Sequence, residues 1–211
     1  MREVEPRRDL IREGEKPRAV NLILEGWGSR YKQLPDGRRQ ILSFVLPGEL
    51  CDPNVFILRE MDHSIGAITR MRYAEIAPAD FQELMTASPR LTQGFWWNEL
   101  AAVATAREWI ANVGQRNARE RIAHLLCELF IRLRLSGLTE GDACDFPPTQ
   151  HDLADATGLT SVHVNRTLQD MRREGLIELR GRRLIIPDLD ALKQAAGFKE
   201  NYLHLQREQA A

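Results

Sequence analysis

TQHDLADATGLTSVHVNRTLQDMRREGLI, residues 149–177, divides into a helix over 149–157, a glycine-containing turn at Gly158-Leu159-Thr160 and a second helix over 161–174. Leu153, Ala154, Leu159, Val164, Leu168 and Met171 are the apolar positions that lock two helices at a steep angle. Ala154 suits a close approach of the helices, and Gly158 suits a turn that needs φ > 0. Thr160 is a good N-cap for the second helix. That leaves Ser161, Val162, His163, Asn165, Arg166 and Gln169 facing outward near the start of the second helix. Small and bidentate polar groups at such a place match what base edges and phosphates require.

Directly after it, LIELRGRRLIIP (176–187) reads as a tight hairpin with Arg180, Arg182 and Arg183 at its tip, the wing of a winged helix-turn-helix. Residues 161–187 hold Arg166, Arg172, Arg173, Arg180, Arg182 and Arg183 against Asp170, Glu174 and Glu178, a local excess of positive charge. Residues 137–160 hold acids and no Lys or Arg. A basic surface beside an acidic linker points to double-stranded DNA. The bland alternative is a small helical hairpin with solvated arginines, but turn, cap, wing and charge all agree.

Upstream, ARERIAHLLCELFIRLRL (118–135) predicts a helix, and SGLTEGDACDFPPT (136–149) a polar, acidic loop. LTQGFWWNELAAVATAREWIANVG continues as a helix from Leu91 to Gln115, with a break near Gly114. At 1.5 Å per residue it is about 35 Å long. Two apolar stripes run along it, Trp96, Leu100, Val103, Ile110 and Phe95, Ala102, Ala106, Trp109. One stripe can pack within the chain and the other against a second copy, so Phe95, Trp96, Leu100, Val103, Ala106 and Ile110 are expected at a dimer interface. A wholly internal helix is the alternative. PADFQELMTA (78–87) is a shorter helix opened by proline.

Before Pro78 the period changes from 3.6 to 2. AVNLILEG (19–26), WGSRYKQL (27–34), QILSFVL (40–46) and HSIGAITRMRYAEIA (63–77) read as strands, separated by Pro35-Asp36-Gly37 and Pro47-Gly48. Regularly spaced short strands of this kind suggest a β-roll or sandwich. The fold class expected is therefore α+β: a β-roll sensor domain over 1–88, a dimerisation helix over 89–114 and a winged helix-turn-helix domain over 115–211.

The composition is that of a globular chain. Its 211 residues are 43% hydrophobic with a formal net charge of −1, so any nucleic-acid binding must come from local patches. No apolar run approaches a membrane span or a signal peptide, which predicts a cytoplasmic protein without a membrane partner. Cys51, Cys127 and Cys144 are too few and too scattered for a disulfide framework. The histidines show no metal-ligand spacing, and no nucleophile–base pattern or catalytic carboxylate pair appears, so neither a metal site nor an enzyme is expected. Cys127 reads as core. Cys51 reads as a small buried side chain or a redox sensor, with no basic neighbour to lower its pKa, and negative charge around Cys144 should raise its pKa. Trp96, Trp97 and Trp109 read as dimer core or as the wall of an effector pocket.

The order of β-roll, long helix and winged helix-turn-helix resembles the Crp/Fnr superfamily of bacterial transcription regulators. The resemblance is carried by RERIAHLLCEL (119–129), by residues 149–177 and by GEKPRAVNLILEGWGSRYKQLPDGRRQILSFVLPGEL (14–50). It implies a homodimer that binds a near-palindromic site under control of an effector in the roll, with RNA polymerase as a partner. A sensor or scaffold module with a vestigial DNA-binding half is the alternative function.

Two departures shape the expected ligands. Cyclic-AMP binders of the family carry a Gly-Glu pair for the ribose and an Arg-Ser pair for the phosphate. In CDPNVFILREMDHSIGA (51–67) these align with Asp52-Pro53 and His63-Ser64. Proline lacks an N–H donor and a mostly neutral His replaces a firm cation, which argues against cyclic AMP. No cysteine precedes Cys51, which argues against the iron–sulfur cluster of the oxygen-sensing branch, and the effector stays unknown. On the second helix, Val162 stands where the family commonly has a cytosine-reading Glu, and Arg166 matches its guanine-reading Arg. Asn165 is a reader of adenine, and the wing arginines Arg180, Arg182 and Arg183 are backbone contacts.

Overall fold

The computed structural model describes residues 1–53 and 55–205. The last residues of the expected DNA-binding segment, 206–211, lie outside them. The chain forms two compact units, Met1–Glu99 and Leu100–Ala211.

In the first unit, strands β1 (Arg2–Val4), β2 (Asp9–Ile11), β3 (Val20–Glu25), β4 (Gly28–Gln33), β5 (Arg39–Val45), β6 (Leu50–Cys51), β7 (Ser64–Ala67) and β8 (Met71–Ile76) make two antiparallel sheets. Their orders are β1-β8-β3-β6 and β2-β7-β4-β5. Apart from the β4–β5 hairpin, neighbours in each sheet come from separated parts of the chain, as in a jelly roll. Ile23 and Met71 of one sheet and Val45, Ile65 and Ala67 of the other meet in one buried core with Cys51, Val55, Met61 and Tyr73. Gly26 shows how tightly the roll closes. Its φ is +86°, and a Cβ there would stand 2.2 Å from the Arg70 carbonyl oxygen. Only glycine fits. Strands β1 and β2 escape the sequence reading because three residues are too few to show a period.

Helix α1 (Pro78–Ala87) matches its expected bounds, and α2 spans Pro89–Gln115. Gly114 lies inside α2, so the expected break moves to Arg116-Asn117. There Asn117 caps the next helix, α3 (Ala118–Leu135), in a reciprocal pair with Glu120. The asparagine side chain satisfies orphan N–H groups that only a new helix start exposes.

The second unit is built on α3, whose Ile122, Leu125, Leu126, Leu129, Phe130 and Leu133 are buried. The acidic segment 136–149 is not a plain loop. It contains β9 (Thr139–Glu140) and β10 (Ala143–Asp145). After helices α4 (Gln150–Thr157) and α5 (Ser161–Arg173), strands β11 (Glu178–Arg180) and β12 (Arg183–Ile185) join them in a sheet ordered β11-β12-β10-β9. Helix α6 (Leu189–Ala196) follows and packs on α3. Cys144 therefore sits buried in a strand, and burial first, with Asp145 second, pushes its thiol up to about 12.

Within this unit a carboxylate is fully buried. Glu128 accepts from Trp109 Nε1 at 3.1 and 3.0 Å, from the Tyr202 hydroxyl at 2.9 Å and from Arg132 at 3.2 Å. Burial raises its pKa, and the donated bonds oppose that rise. Trp109 is thus core of its own chain, which corrects its reading as dimer core or pocket wall.

Candidate nucleic-acid interface

The helix pair is set by local chemistry. Thr149 accepts from the Asp152 N–H at 3.2 Å while the Asp152 carboxylate accepts from the Thr149 N–H at 2.8 Å, starting α4. Gly158 ends it at φ +66°, and the Leu159 N–H closes back on the Ala154 carbonyl at 3.2 Å. Thr160 Oγ1 accepts from the His163 N–H at 3.2 Å and starts α5. Leu153 and Ala154 of α4 and Val164, Leu168 and Met171 of α5 are buried as expected, and Leu159 is half-buried. One tie was not legible: Arg121 of α3 donates to the Thr157 carbonyl at 3.0 Å, satisfying the end of α4.

The outward face of α5 carries the expected readers together. Val162 is 80% exposed; Thr160, His163, Arg166 and Gln169 are exposed, and Ser161 and Asn165 are half-buried. Side chains from α4 hold several of them. Ser161 Oγ lies 2.8 Å from His151 Nδ1, and Asn165 Nδ2 donates to Gln150 Oε1 at 2.9 Å. Gln169 Nε2 in turn donates to Asn165 Oδ1 at 2.8 Å. Beside this face runs a groove of about 740 Å³, lined by His163, Arg166 and Asp170 of α5 and by Asn117 and Arg119 at the start of α3. Arg119 makes a two-pronged ion pair with Glu174 across its end. The start of α3 was not among the expected site residues. The charged run RERIA (119–123) preceding an apolar stripe was the available signal.

The hairpin forms as expected, turning at Gly181 with φ +61°. Its arginines do not behave alike. Arg183 pairs with Glu140 of β9 at 2.6 Å and Arg180 with Glu178 at 3.1 Å. Arg173 pairs with Asp170 on α5. Arg166, Arg172 and Arg182 have no ion pair among the described residues. The unpaired cations of this surface thus match the excess of positive charge counted from sequence, and they are concentrated at these three side chains.

In the β-roll, the aligned ligand positions form a closed ion-pair network. Arg30 Nε donates to Asp52 Oδ1 at 3.0 Å, with Nη1 on Ser43 Oγ at 3.3 Å and Nη2 on the Leu50 carbonyl at 3.2 Å. His63 Nε2 lies 3.2 Å from Asp52 Oδ2 in ion-pair contact, off hydrogen-bond alignment, and its Nδ1 lies 2.9 Å from Asp62 Oδ1. Burial disfavours charge on His63, but the two carboxylates outweigh it and raise its pKa above the ordinary histidine value. Ser64 Oγ accepts from the Glu13 N–H at 3.0 Å. Cys51 does have a basic neighbour, Arg30, yet burial dominates and pushes its thiol up to about 12. Cys127 is buried core.

On α2, Trp96 (68% exposed), Leu100 (63%), Val103 (48%) and Ile110 (73%) are open, as is Ala106. Phe95 instead is half-buried, its ring centroid 4.8 Å from that of Phe81. Ala102, assigned to the stripe with Phe95 and Trp109, is exposed, while Ala104, assigned to neither, is buried. Among the described residues no group of side chains could hold a metal ion, and no helix is long and apolar enough to cross a membrane.

A sheet-built roll followed by a winged helix-turn-helix defines a class of DNA-binding regulators. Residues 1–88 match the cyclic nucleotide-binding domain family, and residues 120–195 match the Crp-like helix-turn-helix domain family. The chain is 30% identical to the transcriptional activator protein FnrL of Cereibacter sphaeroides, over 89% of its length and 77% of the relative's. It is 32% identical to the transcriptional activatory protein AadR of Rhodopseudomonas palustris, over 87% and 73%. In fold it is similar to FixK2 from Bradyrhizobium japonicum, with a TM-score of 0.81 and 22% identity, over 92% of this chain and 95% of that one. The chain belongs to the Crp/Fnr superfamily of transcription regulators, with a helix-turn-helix DNA-binding domain.

Proposed function

We propose that the chain acts in the cytoplasm as a homodimer that binds a near-palindromic DNA site, presents it to RNA polymerase, and responds to an effector through its β-roll. The observation that carries the reading is Arg166: exposed, without an ion pair among the described residues, and flanked by polar side chains on the open face of α5. A bidentate guanidinium there suits guanine O6 and N7. Ser161, His163, Asn165 and Gln169 share its face, Val162 offers an apolar contact to a thymine methyl, and Arg180, Arg182 and Arg183 face the backbone from the wing. The exposed apolar residues of α2 support the dimer, since open Trp, Leu, Val and Ile side chains gain by mutual burial. Cyclic AMP is not the effector in this reading: His63, aligned with the phosphate's cation, is in contact with Asp52, which also pairs with Arg30, and Pro53 lacks a donor. Calorimetry giving a micromolar cyclic-AMP dissociation constant would overturn that part.

The DNA reading is tested by salt titration of binding on matched and single-substituted sites. Arg166→Ala is expected to cost about 1–3 kcal/mol per half-site and relax preference at one base pair. Arg182→Ala is expected to weaken binding about equally on all sequences and to lower the salt slope by about one unit per site. An unchanged base preference in Arg166→Ala means that α5 does not read bases as assigned.

A further inference from the structure

We propose that Gln150, on α4, decides which base Asn165 reads, through a hydrogen-bonded ladder of three carboxamides; this rests on the reading of α5 as the recognition helix. Asn165 Nδ2 donates to Gln150 Oε1 at 2.9 Å, and Asn165 Oδ1 accepts from Gln169 Nε2 at 2.8 Å. The two glutamines are exposed and Asn165 is half-buried, so the ladder lies along the open face. A carboxamide has two N–H donors and two acceptor lone pairs. With one of each used in the ladder, Asn165 keeps one donor and one acceptor side by side. Those are the two groups that adenine N7 and N6 require.

The ladder also fixes which end is which. The terminal torsion of an asparagine is broad and nearly two-fold, so an unsupported side chain exchanges donor and acceptor at little cost. Gln150 presents Oε1 to the Asn165 nitrogen and Gln169 presents Nε2 to its oxygen, so a turn of Asn165 alone loses both bonds, and its two ends exchange only if all three carboxamides turn together. Both contacts come from regular helices, Gln150 at the first position of α4 and Gln169 one turn along α5 from Asn165. Gln150 is thus a positioning residue that acts through Asn165, and it needs no contact with the base.

The test selects binding sites from a random duplex pool with the full chain and its variants. Asn165→Ala is expected to lose base preference in one column of each half-site. Gln150→Ala is expected to weaken preference in that same column by about tenfold and leave the other columns intact. Gln150→Glu keeps an acceptor for Asn165 Nδ2, so the column keeps its preference while its new negative charge weakens binding to every sequence. Gln169→Ala repeats the test from the other end. A wild-type column in Gln150→Ala, or equal loss of preference in Gln150→Glu, overturns the ladder. So does an Asn165→Ala profile with every column intact, with the recognition helix still standing. A wild-type chain that enriches no sequence overturns instead the reading of α5 on which the ladder rests.

Discussion

Arg30 Nε donates to Asp52 Oδ1 at 3.0 Å, and Asp52 makes that bond from a left-handed backbone, φ +50°. The two features act in opposite directions. Glycine would relieve the backbone but leave Arg30 and His63 without their shared carboxylate, and a half-buried charge without its partner is the larger cost. Asp52→Gly is therefore expected to lower stability by about 1–3 kcal/mol. Asp52→Ala loses the same ion pairs and adds left-handed strain, so it is expected to fall about 1 kcal/mol further. Urea unfolding of the three chains checks the order; an alanine variant as stable as the glycine variant refutes the role of φ.

His63 and His124 are expected to respond to pH with opposite signs. His63 has a raised pKa, so the folded state holds its proton more tightly than the unfolded chain. Its contribution is complete below about 6.5, the unfolded value, and is lost as pH rises through the folded pKa. The stability gap between wild type and His63→Gln should shrink from pH 6 to pH 8.

His124 is buried in the second unit, stacked on Tyr202 and 3.2 Å from Glu108, and burial first, with Arg116 second, lowers its pKa to about 4. Here the unfolded chain takes the proton first. The stability is present above about 6.5 and is lost as pH falls toward 4, on the order of 1–2 kcal/mol between pH 7 and 5. His124→Gln should flatten that loss. A loss between pH 7 and 5 as steep as in the wild type would show that His124 is not its source.

Removing the buried carboxylate of Glu128 takes one acceptor from three side chains at once. Glu128→Ala is expected to cost about 3–5 kcal/mol, because Trp109 Nε1, the Tyr202 hydroxyl and Arg132 all lose their bond to it. Glu128→Gln keeps one acceptor oxygen and should cost less. Equal denaturation midpoints for the two variants would mean that the network is not what holds α2, α3 and Tyr202 together.

The open residues of α2 make the dimer testable. Ile110, 73% exposed, is expected to tolerate Glu in the folded chain, while a charge buried between two copies would split the dimer. Light scattering at micromolar concentration should give a dimer for the wild type and a monomer for Ile110→Glu. A monomeric wild type ends the dimer proposal.

Where the sequence spoke clearly, its signals were local. Thr149, Gly158 and Thr160 sit within a few residues of the backbone groups they cap, so their chemistry alone marks the helix ends. The 3.6-residue period of 118–135 and the alternation of 27–34 each lie within one element. What stayed hidden depends on partners far along the chain. Strand β1 exists because Arg2–Val4 pairs with Met71–Tyr73, and the acidic segment becomes strands because Ala143–Asp145 pairs with the wing.

The sequence by itself determined the order of the parts, a strand-built half, a long helix and a capped helix-turn-helix with its hairpin, because period, caps and turns are properties of short stretches. Only the tertiary structure decided which charges are free. Glu140 reaches Arg183 across 43 residues, Asp52 reaches Arg30 across 22, and Tyr202 reaches Glu128 across 74. Counting residues gave a net basic surface and a mostly neutral His63; folding decided which arginines carry the first and raised the pKa of the second. Charge depends on distance and burial, and both are settled when remote segments pack.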